Sequence, residues 1–123
     1  MKRIFFSLAL LLAVTALTAQ TNMTAREAAV KIADRILAST TYEFKNTKTG
    51  ETYKSVKKLP LDMNVKVACK YNNWHYTNGV TNMALMELGD KLADKKYEKY
   101  VLKNMNFVFN EGNLEFFRKQ YDE

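Results

Sequence analysis

The sequence is poor in the residues that build disulfides, metal sites and sharp turns. Its 123 residues include one cysteine, Cys69, one histidine, His75, one proline and four glycines. A single cysteine excludes an intramolecular disulfide. One cysteine six positions before one histidine also does not match a structural zinc site, which needs four ligands. We therefore expect no metal and no cofactor, and we expect Cys69 to be a small buried hydrophobic residue.

The chain also lacks an apolar run long enough to span a bilayer. Its longest, Ile4 to Val14, follows the basic start Met1 to Arg3 and precedes small residues that end at Ala19. This order is typical of a secretory signal peptide. We place cleavage after Ala19, which predicts a leader over residues 1–19 and an exported protein over residues 20–123. The predicted location is periplasmic or extracellular, in a bacterium, with no membrane contact after signal removal.

The chain has no long uninterrupted run of one charge, because acidic residues are interleaved with its lysines. The formal net charge is +6, and losing Lys2 and Arg3 with the leader leaves +4. The remaining lysines alternate with acidic residues, which is the pattern of a solvated surface and not of a groove that tracks phosphates. We therefore predict no nucleic-acid partner, while a weak preference for acidic saccharides stays compatible with the charge.

What the sequence does contain is apolar residues at a helical period. The hydrophobic content of 47% and the length indicate one globular domain at most. Thr24 followed by Glu27 predicts a capping box, and apolar residues then recur up to a helix end near Ser39. Next come a Thr- and Lys-rich segment over 40–62, in which 42–44 and 52–54 are predicted to pair as strands, and one or two helical turns within 64–71.

The segment Trp74 to Gly112 predicts two helices joined by a short charged link. Asp94 is the expected cap of the second helix, Gly112 its left-handed stop, and Asn113 the cap of a further short helix. Two sets of apolar residues recur at the helical spacing, and we expect both to be buried: Val80, Met83, Ala84 and Leu88 in the first helix, and Tyr97, Val101, Met105 and Val108 in the second.

The most promising site in the sequence is the aromatic stretch at the start of this pair of helices. Trp74, His75, Tyr76 and Asn78 bring rings and an amide together just before the expected start of the first helix, where a saccharide ring can stack and form hydrogen bonds. We predict substrate binding by Trp74, Tyr76 and Asn78. The alternative is that the two aromatic residues only close the end of the helical pair.

Acid–base catalysis needs paired carboxylates, and the sequence does not supply a pair. Its candidates are Asp62, Glu87, Asp90 and Asp94. Glu87 and Asp90 have the spacing of an exposed helix face, and Asp94 has the position of a helix cap. We therefore predict no catalytic residue within this chain.

The pattern Trp74-x-Tyr76-x-x-Gly79-Val80, followed by Met83-Ala84-Leu85 and by Asp94-Lys95-Lys96-Tyr97, resembles the first helical hairpin of glycoside hydrolase families 88 and 105. The resemblance covers about residues 24–123. It implies an all-α fold, the N-terminal part of an (α/α)6 barrel, and removal of unsaturated uronic acid residues from lyase-generated oligosaccharides without a metal. It also implies that Tyr76, beside Trp74, faces the substrate.

In these families the catalytic aspartates lie on later hairpins. We therefore expect residues 20–123 to be a partial glycoside hydrolase domain that ends before its catalytic wall and lacks activity alone. The alternative is an exported helical binding or scaffold module, tetratricopeptide-like and without catalysis, although the chain has no second copy of the Trp74 to Gly112 pattern. A complete small exported protein that binds a partner through its Lys-rich loop is a third possibility. The sequence does not indicate an oligomeric state.

Overall fold

The structure is a computed structural model that describes residues 23–57, 59 and 64–121, the last without its side chain. Within these residues there are four α-helices, which we name α1 to α4, and a small sheet of three strands, β1 to β3. Their bounds are α1 Ala25–Ser39, β1 Phe44–Asn46, β2 Thr52–Tyr53, β3 Val65–Val67, α2 Tyr76–Leu92, α3 Lys95–Phe109 and α4 Glu111–Tyr121. The predicted leader, Pro60 and Asp62 lie outside the described residues.

Helix α1 begins and ends where its sequence predicts. The Thr24 side chain accepts a hydrogen bond from the Glu27 backbone N–H at 3.2 Å, and the Glu27 carboxylate accepts one from the Thr24 N–H at 2.8 Å. This reciprocal pair satisfies two donors that the first helical turn would otherwise leave free. The predicted capping box and the end at Ser39 are therefore confirmed.

The sheet corrects the prediction of an all-α fold. The predicted strand pairing is confirmed, because β1 pairs antiparallel with β2 and Phe44 lies opposite Tyr53. The predicted helical turns over 64–71 are wrong, since Val65–Val67 forms β3 and pairs with the other edge of β1. The alternation of valine, lysine and valine suits a strand with one buried face. The chain is thus mostly helical, and the described residues do not form a barrel.

Two apolar clusters hold the fold together, and α3 contributes to both. The helical cluster joins α1, α2 and α3, and the sheet cluster joins the strands, the C-terminal end of α3, and α4. The buried members of the helical cluster are Ala33, Leu85, Tyr97, Tyr100 and Val101. Those of the sheet cluster are Phe44, Val56, Val65, Phe107, Phe116 and Phe117.

Phe44 is the centre of the sheet cluster. It is 0% exposed, and its ring centroid lies 5.3 Å from that of Phe107 and 5.2 Å from that of Phe116. The short sheet covers Phe107, Phe116 and Phe117, whereas Trp74 and Phe109 remain exposed.

The end of the helical pair also differs from the prediction. Gly112 is not a helix stop, and Asn113 is not a cap, because both lie inside α4. The break comes two residues earlier at Asn110, whose backbone is extended and whose side-chain oxygen accepts from the Asn113 N–H at 3.0 Å. Asn110 therefore ends α3 and caps the start of α4. The predicted cap at Asp94 is confirmed, since its carboxylate accepts from the Lys96 N–H at 3.0 Å.

Candidate functional site

A cavity of about 310 Å³ lies between the start of α2, the C-terminal half of α3 and the loop that precedes α2. We call it the aromatic pocket. Four exposed ring-bearing residues of its lining form an aromatic rim, and three buried asparagines form an amide floor. The rim consists of Trp74, His75, Tyr76 and Phe109, and the floor of Asn72, Asn82 and Asn104. The three residues that the sequence predicted for substrate binding, Trp74, Tyr76 and Asn78, all line this one cavity.

The loop before α2 places the rim residues. His75 is the N-cap of α2, and its ring Nδ1 accepts from the Thr77 N–H and lies 2.8 Å from the Thr77 hydroxyl oxygen. The helix therefore begins at Tyr76, one residue after an extended cap. The prediction that Tyr76 and Asn78 precede the helix is wrong, because both lie in its first turn. His75 can serve as the cap because its ring nitrogen replaces the usual hydroxyl or carboxylate oxygen.

The rim rings are exposed and partly stacked on one another. Trp74 is 40% exposed and meets Phe109 edge to face, with ring centroids 5.6 Å apart. Tyr76 is 78% exposed, and its ring centroid lies 5.1 Å from that of His75. Edge-to-face and offset contacts of this kind fix ring orientation while leaving a ring face open. The rim thus offers apolar surfaces to a ligand.

Asn78 has a different position from that expected for a residue that presents its amide to a ligand. It is buried, and its Nδ2 donates to the carbonyl of Lys70 at 2.9 Å and to the backbone and side-chain oxygens of Asn73. These bonds tie the loop over 70–73 to the first turn of α2. Asn78 therefore positions the rim, and its role in binding stays a prediction.

The amide floor was not among the predicted site residues. Asn104 Nδ2 donates to Asn82 Oδ1 at 3.1 Å and to the Tyr71 carbonyl at 3.4 Å, and Asn72 Nδ2 donates to the Thr41 carbonyl at 2.6 Å. Within the described part of the chain, Asn72 Oδ1 and Asn104 Oδ1 are buried without a hydrogen-bond partner. Leaving such an acceptor unpaired costs about 1–3 kcal/mol, so a donor that reached the floor would recover stability.

A signal for this floor was present in the sequence. Asn78 and Asn82 share a helical face with Leu85 and Gly89, at spacings of four, three and four residues, and all four are buried. Asn104 likewise follows Tyr97 and Tyr100 on the buried face of α3. Asparagines that recur on a core face are unusual, because buried amides need partners. The apolar residues Val80, Met83 and Ala84 that predicted the helix lie on its opposite face.

The described lining of the pocket carries no carboxylate and no lysine or arginine. Glu87 pairs with Lys91 at 2.9 Å on the exposed side of α2, Asp94 caps α3, and Asp90 is exposed. The surface and capping roles predicted for Glu87 and Asp94 are therefore confirmed. None of the three lies in the pocket lining, and Asp62 lies outside the described residues. The described lining offers rings and amides to a ligand and supplies no pair of carboxylates for acid–base chemistry.

The described residues do not suggest a metal site or a reactive thiol. They include no group of three or more His, Cys, Asp or Glu side chains that could hold an ion. Cys69 is buried, and its thiol faces the Ser39 carbonyl at 3.9 Å, which is the predicted behaviour of a small core residue. No described helix combines the length and the apolar character needed to cross a bilayer.

Comparison with known proteins does not assign the chain to a family. No protein-family model matches it, and the searches of curated proteins and of solved structures found no significant match. The geometry of the pocket is therefore the main basis for a functional proposal.

Proposed function

We propose that this protein binds a saccharide in the aromatic pocket. The observation that carries the proposal is the combination of exposed rings over a floor of buried amides, two of which have unpartnered oxygens. Binding sites for small ligands are typically concave and mostly apolar, with a few polar groups that fix orientation. The pocket has this composition.

The chemistry of a saccharide suits each part of the pocket. One face of a sugar ring carries C–H groups, which can pack on Trp74 or Tyr76. Its hydroxyl groups are hydrogen-bond donors, which Asn72 Oδ1 and Asn104 Oδ1 lack. Because both oxygens are buried, a hydroxyl reaches them only if atoms of the surrounding pocket move. Ligand binding should therefore change the environment of Trp74.

The more specific proposal is that the chain belongs to an exported glycoside hydrolase that removes unsaturated uronic acid residues from lyase-generated oligosaccharides. It rests on the resemblance of the Trp74 to Tyr97 pattern to families 88 and 105, with the pocket as one wall of a substrate cleft in an (α/α)6 barrel. The lack of a carboxylate in the described lining favours a binding role for this wall. The same observation also favours the alternative, an exported helical binding module without catalysis.

Tryptophan fluorescence tests the binding proposal directly, because Trp74 is the only tryptophan in the sequence. We expect a saturable change in emission when lyase-generated unsaturated oligosaccharides or their saturated counterparts are added. Tyr76→Ala removes an exposed rim ring and should weaken binding about 5-fold or more. Leu102→Ala is the matched control, since Leu102 is an exposed apolar residue of α3 that does not line the pocket.

The saccharide-binding proposal and the more specific glycoside hydrolase proposal predict different results in this experiment. Emission that does not respond to any of these saccharides would contradict saccharide binding. A response to unsaturated uronides that exceeds the response to saturated ones would support the glycoside hydrolase proposal, and equal responses would support the binding module. We expect no loss of the absorbance of the unsaturated bond during incubation. Such a loss would contradict the prediction that this chain lacks catalytic residues.

A further inference from the structure

The side of α2 that points away from the fold is apolar. Tyr76 is 78% exposed, Val80 59% and Met83 74%. They lie opposite the buried side of the helix that contains Asn82 and Leu85. We call this surface the outer face of α2, and all of its members are exposed: Tyr76, Gly79, Val80, Met83, Ala84 and Glu87.

An exposed apolar strip of this kind calls for an explanation. Single exposed apolar residues are common, but contiguous ones often mark a surface that another molecule covers. The outer face has three large apolar side chains on successive turns, and its flanking residues Gly79 and Ala84 are small. An added Cβ at Gly79 would meet no atom within 4 Å among the described residues. The surface beside the large residues is therefore open.

The outer face is complementary to itself when two copies are antiparallel. At about 1.5 Å per residue, Val80 and Met83 lie ~2 Å to either side of the midpoint of the face, and Tyr76 and Glu87 lie ~8 Å to either side. A two-fold axis through this midpoint places Val80 against Met83 of the second copy. It also brings the Tyr76 hydroxyl, a donor, to the Glu87 carboxylate of the second copy.

The small residues support the same arrangement. With the two-fold axis perpendicular to both helices, the open surface at Gly79 faces Met83 of the second copy, and Ala84 faces Val80. A parallel arrangement would instead place Glu87 against Glu87 and Lys91 against Lys91, which repel. We propose that this protein forms a two-fold symmetric dimer through antiparallel contact of the outer faces of α2.

The dimer should be weak, because one helix face is small beside a standard interface of about 800 Å² per partner. The outer face shares Tyr76 and Gly79 with the lining of the aromatic pocket, but three of its members, Val80, Met83 and Ala84, do not line the pocket. Variants at these positions can therefore separate the two proposals. A wild type that dimerises without binding a saccharide, or that binds one without dimerising, shows which proposal fails.

Sedimentation equilibrium of the full chain tests the dimer. We expect the average mass to approach that of a monomer near 10 µM and to rise toward twice that mass near ~1 mM. Met83→Glu places a charge at the centre of the interface and should weaken association about 10-fold or more. Leu102→Glu adds the same charge on α3 and should leave association within about 2-fold of the wild type.

Cysteine cross-linking then tests the orientation. An oxidised mixture of Val80→Cys and Met83→Cys chains should form more mixed dimers than either variant forms alone, because these positions face each other only in the antiparallel pair. Leu102→Cys gives the background, and Cys69 is buried in every variant. A wild type that stays monomeric at 1 mM would overturn the proposal, as would association that Met83→Glu does not weaken. Cross-linking that is strongest in Met83→Cys alone would overturn the antiparallel geometry.

Discussion

Helices α2 and α3 form one hairpin, yet their apolar residues behave in opposite ways. In α3 the predicted stripe is buried, with Tyr97 at 0% and Val101 at 6% exposure. In α2 the predicted stripe faces outward, with Val80 at 59% and Met83 at 74% exposure. The expectation of a buried stripe is therefore confirmed for Tyr97 and Val101 of α3, whose Met105 and Val108 are half-buried, and it is wrong for α2 except at the half-buried Leu88. Periodicity alone identifies a helix and does not identify the face that is buried.

Four residues of α2 are buried, and three of them are small or polar, since Asn78, Asn82 and Gly89 accompany Leu85. Gly89 allows close approach, since an added Cβ would lie 3.2 Å from Tyr97 Cβ. Asn82 pairs with Asn104 of α3 at 3.1 Å, so its amide oxygen is satisfied inside the interface. A glycine and an amide pair together permit tight helix packing without a run of large apolar residues. A satisfied amide can thus occupy a core position of α2, while Val80 and Met83 of the same helix face outward.

The largest expected effect on the free energy of unfolding comes from Tyr97→Ala in the buried stripe of α3, and Met83→Ala in the exposed stripe of α2 is its counterpart. Tyr97→Ala removes a ring that is fully buried and a hydroxyl that donates to Asp34 Oδ1 at 2.9 Å. We expect it to lower the free energy of unfolding by about 3–5 kcal/mol. Met83→Ala in the outer face should change it by less than about 0.5 kcal/mol. Urea denaturation followed by Trp74 fluorescence, at a concentration where the protein is monomeric, measures both.

A Tyr97→Phe variant keeps this test informative if Tyr97→Ala does not fold. It retains the ring and loses only the hydroxyl bond to Asp34, so we expect a loss of about 1 kcal/mol. A cost for Met83→Ala as large as that for Tyr97→Ala would mean that the outer face is buried in the monomer, and the comparison of the two helices would no longer hold.

The sequence predicted contacts between residues that are close together in the chain, and it did not predict contacts between distant residues. The capping box at Thr24, the cap at Asp94 and the pairing of Phe44 with Tyr53 each join residues fewer than ten positions apart, and all three are confirmed. Strand β3 was missed because it pairs with a strand about twenty residues away. A contact between residues so distant in sequence leaves no local pattern beyond the alternation of Val65 and Val67.

The rim and the floor of the aromatic pocket differ in the same respect, since the rim residues are mostly adjacent in sequence and the floor residues are not. Its rim comes from Trp74 to Tyr76, which are consecutive in sequence and therefore visible as a cluster, together with Phe109. Its floor joins Asn72, Asn82 and Asn104 from three separate segments, which only the packing of α2 on α3 brings together. The sequence could indicate the rings but not the amides beneath them.

Substitutions at two glycines of α2 should change the free energy of unfolding by intermediate amounts. Gly89→Ala would place a Cβ 3.2 Å from both the Asp94 carbonyl oxygen and Tyr97 Cβ, so the two helices must move apart. We expect a loss of about 1–3 kcal/mol in the free energy of unfolding. Gly79→Ala meets no described atom within 4 Å, and it should stabilise the helix by about 0.5–1 kcal/mol.

The same denaturation experiment measures both glycine variants, and their difference in sign is the informative result. Stabilisation by Gly89→Ala would show that α2 and α3 are less closely packed than the structure indicates. Destabilisation by Gly79→Ala at a monomeric concentration would show that the outer face contacts another part of the chain.

The smallest expected effect is a dependence on pH that distinguishes α3 from α2. Lys96 of α3 donates to Asp34 of α1 at 2.9 Å, and Tyr97 donates to the same carboxylate. The Lys96 bond, followed by the Tyr97 bond, lowers the pKa of Asp34 below its usual value. A carboxylate whose pKa is lower in the folded state adds stability above the unfolded pKa of about 4, and this stability is lost as the pH falls through the folded value.

Asp34→Asn should therefore be less stable than the wild type above about pH 5, and the difference should shrink toward zero near pH 2. Because the Asp34 and Lys96 side chains are partly exposed, at 46% and 44%, we expect a smaller effect than either glycine variant gives, and one that added salt reduces. Glu87→Gln is the matched control, because the ion pair of Glu87 is with Lys91 on the same helix and ties α2 to no other element. Urea denaturation between pH 2 and 6 measures both variants, and a pH dependence of Glu87→Gln as large as that of Asp34→Asn would remove this last difference between the helices.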